Sequence, residues 1–211
     1  MQLNLFENED PSPVKDKLEE PVGLIYHSNL LSSDEQSEVL QIIDNQPWIV
    51  DLKRRVQHYG YRYNYKSRRV NYEMHIGGLP EFALRVGQKL LDANLVKKMP
   101  DQLIVNEYEP GQGIAAHVDC EPCFENTIVT VSLGSVYDMD FIYVADKTKV
   151  LTKTLELGSA LVMKDEARHD WMHRINARKS DPSSQGNGKR IRGRRVSLTF
   201  RNVIISDSRE S

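Results

Sequence analysis

A mainly β protein with helices gathered towards its N-terminal end (α+β) is the fold class this sequence predicts, and three observations predict it. From residue 102 onward the chain breaks into short β-rich segments separated by Gly, Pro, Asn and Asp, the texture of a sandwich or barrel. Two stretches of helical periodicity stand in front of them. With 211 residues, 39% hydrophobic and 27% charged, the chain suits a single soluble globular core, and its net charge of -2 excludes a uniformly basic nucleic-acid binder.

Residues 1–21 are acidic and broken by Pro11 and Pro13, so they read as a flexible tail, without the basic and apolar regions of a signal peptide. "VGLIYHS" then predicts a strand. "SSDEQSEVLQIID" predicts a helix with Ser33 as N-cap and Gln36 closing a capping box. Within residues 50–75, "KRRVQHYGYRYNYKSRR" holds seven Lys or Arg and four Tyr with no acid. "LPEFALRVGQKLLDANLV" predicts a second helix, with Phe82, Val86, Leu90 and Leu91 on one face and Pro80 near its start. Strands follow in "QLIVNEY", "IVTVSLG", "DMDFIYV", "TKTLELG", "ALVMKD" and "RRVSLTFRNVII", with "SDPSSQGNGKRIRG" a flexible loop before the last. No apolar run approaches the ~18 residues of a membrane span. A monomeric cytoplasmic protein without membrane association is the expectation, or a nuclear one if the source is eukaryotic.

Two metal-ligand spacings overlap in "IAAHVDCEPCF". Cys120 and Cys123 form a Cys-x-x-Cys, but no second Cys pair completes a zinc site, and two ordinary loop thiols are expected. His117 and Asp119, at i and i+2 on an extended segment, face the same way. One more His, His169 or His173, would complete a two-His, one-carboxylate triad for iron(II). In "RRVSLTFRN", Arg195, Ser197, Thr199 and Arg201 alternate with Val196, Leu198 and Phe200. One face packs while the other presents two guanidiniums, the fork that matches a carboxylate. Asn106 and Tyr108 add donors at the same i, i+2 spacing.

"NEYEPGQGIAAHVD", the later His and "RRVSLTFRN", in this order, resemble the AlkB family of Fe(II)- and 2-oxoglutarate-dependent dioxygenases over residues 22–205, leaving 206–211 as a second tail. The motif is most similar to the oxygenase domain of the tRNA wobble-uridine hydroxylases. The resemblance implies a double-stranded β-helix (jelly-roll) core and an iron held by His117, Asp119 and His173, with His169 a non-ligand. It implies 2-oxoglutarate contacts from Asn106, Tyr108, Arg195, Ser197 and Arg201, with Arg201 on the distal carboxylate. Ser197 departs from the pattern, since many members carry Asn there. The reaction implied consumes dioxygen and 2-oxoglutarate, yields succinate and CO2, and hydroxylates a C–H bond; on an N-methyl group the product collapses to formaldehyde.

Residues 50–75 then become a lid that recognises a nucleotide, with Tyr59, Tyr61, Arg54, Arg55, Arg68 and Arg69 as contacts to single-stranded DNA or RNA, including tRNA. Lys189, Arg190, Arg192 and Arg194 offer a second basic cluster, and Trp171 offers a stacking face or a core side chain. Glu121 stands where repair members carry an acid that reads a cationic alkylated base. The chain leaves no room for the RNA-binding and methyltransferase modules that accompany the wobble hydroxylase, which weighs towards oxidative demethylation of alkylated bases. Hydroxylation of a modified wobble uridine, a protein or small-molecule oxygenase, and a binding module with a degenerate site are the alternatives.

Overall fold

A computed structural model describes residues 19–50, 54–65, 67–183 and 188–205; the tails expected at 1–21 and 206–211 lie almost wholly outside these. Strand β1 (Leu24–His27) leads into helix α1 (Ser33–Asp44). The cap falls one residue before the expected one. Ser32 accepts from the Glu35 N–H while the Glu35 side chain accepts from the Ser32 N–H, so the reciprocal box is Ser32–Glu35 and not Ser33–Gln36. After β2 (Val56–Tyr59), helix α2 (Glu81–Asp92) begins behind Pro80, whose fixed φ suits a helix entry.

The expected strands are present as β3 (Gln102–Tyr108), β5 (Ile128–Leu133), β6 (Tyr137–Tyr143), β7 (Val150–Leu155), β8 (Ala160–Met163) and β12 (Arg195–Arg201). Unforeseen are β4 (Ile114–His117), the short helix α3 (Asp165–His169) and β9 (Trp171–Ile175). The loop expected before the last strand is instead a hairpin of β10 (Ser180–Pro182) and β11 (Lys189–Ile191).

A six-stranded sheet in the order β1-β8-β5-β12-β3-β2 faces a four-stranded sheet in the order β4-β9-β6-β7. All neighbours pair antiparallel, as in a jelly roll. The alternation of β12 is used as its pattern demands. Val196, Leu198 and Phe200 pack outward with Val105, Val131 and Val129 against Val39 and Ile43 of α1 and Phe82, Val86 and Leu90 of α2. Arg195, Ser197, Thr199 and Arg201 point inward. Between the sheets, Tyr108, Tyr137, Phe141, Leu155, Leu161 and Ile175 form a second apolar cluster.

The basic cluster at 189–194 is structural, which corrects its assignment to nucleic acid. Arg192 is fully buried and bidentate on Asp181, at 2.7 Å from each nitrogen, with its guanidinium 4.1 Å from the Tyr137 ring centroid. Arg190 pairs with Asp138 at 2.5 Å, and Arg194 pairs with Glu107 and Asp44. These acids come from β3, β6, the hairpin strand β10 and the end of α1, and they neutralise the arginines of the run. Asp181→Ala strands the Arg192 charge in the interior and is expected to cost about 3–5 kcal/mol in urea unfolding, with 2-oxoglutarate binding unchanged. Among the described residues, no helix is long and apolar enough to cross a membrane.

Candidate active site

His117 at the end of β4 pairs directly with His173 on β9, so the two imidazoles stand side by side, ring centroids 4.3 Å apart. Asp119 follows two residues beyond the strand end and completes a group whose candidate ligand atoms all lie within 4.8 Å of one another. The Ala115 carbonyl lies 2.8 Å from His117 Nδ1, which assigns the proton to that nitrogen and leaves Nε2 free to ligate. Asp119 sits in a loop whose backbone is held by a buried arginine that sequence reasoning missed. Arg168, at the end of α3, donates to the carbonyls of Asp119 (3.0 Å) and Cys120 (3.2 Å).

Electrostatics pre-set the protonation states. Burial alone would raise the Asp119 carboxyl, but Arg201, 3.3 Å away, then His173, His117 and Arg168 hold it far below the usual range, so it is a carboxylate. Burial first, then the neighbouring His117, pushes His173 down to about 3, so it is neutral at physiological pH. Two imidazoles and one carboxylate converging from one side fit an iron(II) ion with open positions for other ligands.

The three groups line a cavity of about 380 Å³ between the sheets, within the range of small-ligand sites. Asn106, Tyr108, Thr130, Ser197 and Thr199 line it from the large sheet, and Ile114, Met139 and Ile175 from the small one. The two β12 arginines mark its ends. Arg201 touches Asp119 and therefore lies at the metal end. Arg195 is opposite Tyr108, six residues along the strand and roughly 20 Å away at the backbone. It is 1% exposed, donates to Ser132 Oγ at 2.9 Å, and lies 5.5 Å from the Tyr108 ring centroid. Among the described residues no carboxylate pairs with Arg195, and its Nε has no partner. Burial pushes it down only to about 10, so it remains a cation. A buried, uncompensated guanidinium is what an anionic ligand completes.

The lid residues divide. Arg54 lines the cavity, its Nε 2.9 Å from Asn106 Oδ1, and Arg68 lies at the rim, where Nη2 donates to the Val118 carbonyl at 3.4 Å. Arg55 is drawn away by Glu107 and stacks on Trp48, and Arg69 is exposed outside the cavity lining. The tyrosines that reach the cavity are Tyr63 and Tyr65, not the expected Tyr59 and Tyr61. Tyr59 packs on Phe82 and Tyr61 on His75. Trp171 is 4% exposed, bonded to Glu166 and packed on Tyr143, so it serves the core and not a base. Glu121 is outside the cavity lining, its side chain 3.4 Å from His169, whose other ring nitrogen faces Asn126. That partnership keeps His169 away from the metal group. Cys120 and Cys123 are bonded to each other, which corrects the expectation of two free thiols.

Beneath the lid, His58 accepts from the Tyr63 N–H on Nδ1, and burial, reinforced by Arg62, Arg201 and Arg54, lowers it to about 4. The folded protein therefore resists protonation that the unfolded chain accepts near pH 6.5. His58 contributes full stability above that pH and loses it as pH falls towards 4. In His58→Gln, melts from pH 7 to 4 are expected to lose up to about 3 kcal/mol less than wild type.

Comparison with known proteins agrees with this geometry. A family profile described as the 2OG-Fe(II) oxygenase superfamily matches residues 23–201. The mouse tRNA (carboxymethyluridine(34)-5-O)-methyltransferase ALKBH8 is 38% identical over 87% of this chain and 31% of its own length, so the chain spans about a third of that relative. A Caenorhabditis elegans DNA N6-methyl adenine demethylase is 31% identical over 85% of the chain and 59% of its own length. The solved structure of OsALKBH1 superposes with a TM-score of 0.66 at 18% identity, covering 88% of this chain and 99% of its own, and so shares the fold. With its two imidazoles and carboxylate set in the wall of a jelly roll, the chain belongs to the 2OG-Fe(II) oxygenase superfamily.

Proposed function

We propose that the chain oxidises an alkyl group on a neutral nucleobase held out of any duplex, in DNA or RNA, and that an N-methyl group is removed in this way as formaldehyde. The observation that carries this reading is the shared cavity: the His117, Asp119 and His173 group opens directly beneath Tyr63, Tyr65, Arg54 and Arg68 of the lid. Aromatic faces receive an unstacked base and guanidiniums receive phosphate, whereas a base inside a duplex cannot reach the buried group. In this reading His117, Asp119 and His173 hold iron(II). Arg195, with Tyr108 and Ser132 beside it, holds the distal end of 2-oxoglutarate, while Arg201 steadies Asp119. Asn106 and Ser197 complete the polar wall. Iron, 2-oxoglutarate and dioxygen supply the oxidising power when bound; the chain positions the cosubstrate and keeps the site dry.

The charge of the base follows from the lining. Among the described residues, the one carboxylate of the lining, Asp119, is paired with Arg201, and Glu121, the acid expected to read a cationic lesion, lies outside the lining and is turned to His169, so no lining acid is left for a cationic base. Cationic 1-methyladenine is disfavoured by this lining, and neutral N6-methyladenine is not. Hydroxylation of a uridine side chain in tRNA is the second reading, supported by the 38% identity to the mouse relative. The test is mass spectrometry after incubation with iron(II), 2-oxoglutarate and air of single strands carrying N6-methyladenine or 1-methyladenine, and of total tRNA. Methyl loss from N6-methyladenine with formaldehyde, absent in His117→Ala, is the expected result. Oxygen retained on a tRNA uridine selects the second reading, and preference for 1-methyladenine overturns the charge argument.

A further inference from the structure

The two cysteines converge on one backbone atom. Cys120 Sγ lies 3.2 Å and Cys123 Sγ 3.3 Å from the carbonyl oxygen of Arg68, more than 50 residues away in sequence. Arg68 is at the tip of the lid. It has a left-handed φ of +50°, its N–H donates to the Asn64 carbonyl at 2.8 Å, and Asn64 bridges Arg69 to close the turn. Around this contact Val70, Phe124 and Val203 form a small apolar cluster with both sulfurs, against which Tyr61 and Tyr63 pack. The tip therefore docks on the segment that begins with Asp119, and the docking passes through sulfur.

Chemistry makes that contact depend on oxidation state. In the dithiol both sulfurs carry a proton and are placed to donate to the Arg68 carbonyl. In the disulfide neither carries one, and the same carbonyl faces two sulfurs with only lone pairs, so a part-buried acceptor loses both donors. We propose that Cys120 and Cys123 form a thiol–disulfide site that sets how firmly the lid tip is held on the Asp119 loop, with a dithiol/disulfide couple as its reagent. Exchange proceeds by attack of a reagent thiolate on one sulfur, giving a mixed disulfide, which the second reagent thiol displaces. The protein gains two hydrogens and the reagent closes its own disulfide, so electrons and protons balance without the metal. Cys120 lines the active-site cavity, which gives the reagent its entrance. Cys120 directly follows Asp119, and Arg168 grips both residues' carbonyls, so the site lies one residue from the metal group without supplying a ligand to it.

The test uses the full chain without iron, in buffers poised from fully reduced to fully oxidised dithiothreitol. Intact mass after maleimide treatment counts free thiols, and peptide mass reports the rate of tryptic cleavage after Arg68 and Arg69. As the thiol count passes from two to none, cleavage at the tip is expected to accelerate about 5-fold, the loss of roughly one net hydrogen bond. A paired Cys120→Ser and Cys123→Ser variant keeps two donors and is expected to be cut slowly at every poise. The corresponding double alanine variant has none and is expected to be cut fast at every poise. A thiol count that stays fixed across the range, or a cleavage rate that stays fixed while the count changes, overturns the proposal. So does equal cleavage of the serine and alanine variants.

Discussion

His173→Ala is expected to lower 2-oxoglutarate turnover by more than about 100-fold, since loss of a group supporting a metal ligand already costs 10–100-fold and this removes a ligand itself. The imidazole is neutral, buried and fixed beside His117 by strand pairing, so its removal leaves no nearby nitrogen to replace it. His169, four residues earlier, is committed to Glu121 and Asn126 at the surface. Anaerobic cobalt(II) titration separates the metal from the chemistry: wild type should give the bands of a bound ion and the variant should lose them. Undiminished cobalt binding would remove His173 from the ligand set.

The second large effect is expected at Arg195→Met. A guanidinium buried with no counterion is poised for a carboxylate, so losing it should weaken 2-oxoglutarate binding about 100-fold or more. The same logic gives the stability change the opposite sign. Without ligand, Arg195 is a burdened cation among tyrosines, and an apolar side chain of similar length should leave the apo protein as stable or up to about 2 kcal/mol more stable. Melts with and without 2-oxoglutarate read both effects: wild type should rise with ligand, while the variant should start at least as high and stay there. If Arg201→Met alone abolished the ligand-induced rise, the distal carboxylate would belong at the metal end of the strand.

Most of the β framework was legible, because alternation and turn residues record which face of a strand is buried. The β12 pattern foretold both faces of its sheet from seven residues. What escaped was set by contacts distant in sequence. β4 and β9 are only four and five residues long, too short for their apolar residues to set a readable period. Arg190, Arg192 and Arg194 read as a solvent-facing cluster until Asp138, Asp181 and Glu107 arrived from other strands. The order of the two β12 arginines could not be read either. Alternation assigns a face, but which end of a strand abuts Asp119 depends on how a different sheet closes over it. Tyr63 and Tyr65 were indistinguishable from Tyr59 and Tyr61 by composition, and the turn at 64–69 decided among them.

The pairing of His117 with His173 has a mechanical meaning beyond its chemistry. β4 is the edge of the four-stranded sheet, four residues long and out of register along its length, whereas β9 is interior to that sheet. An ion ligated by both would rivet a frayed border to its neighbour. Amide exchange along residues 114–117 is then a gauge of metal occupancy, and chelation should expose first the rim most prone to stray strand pairing between molecules.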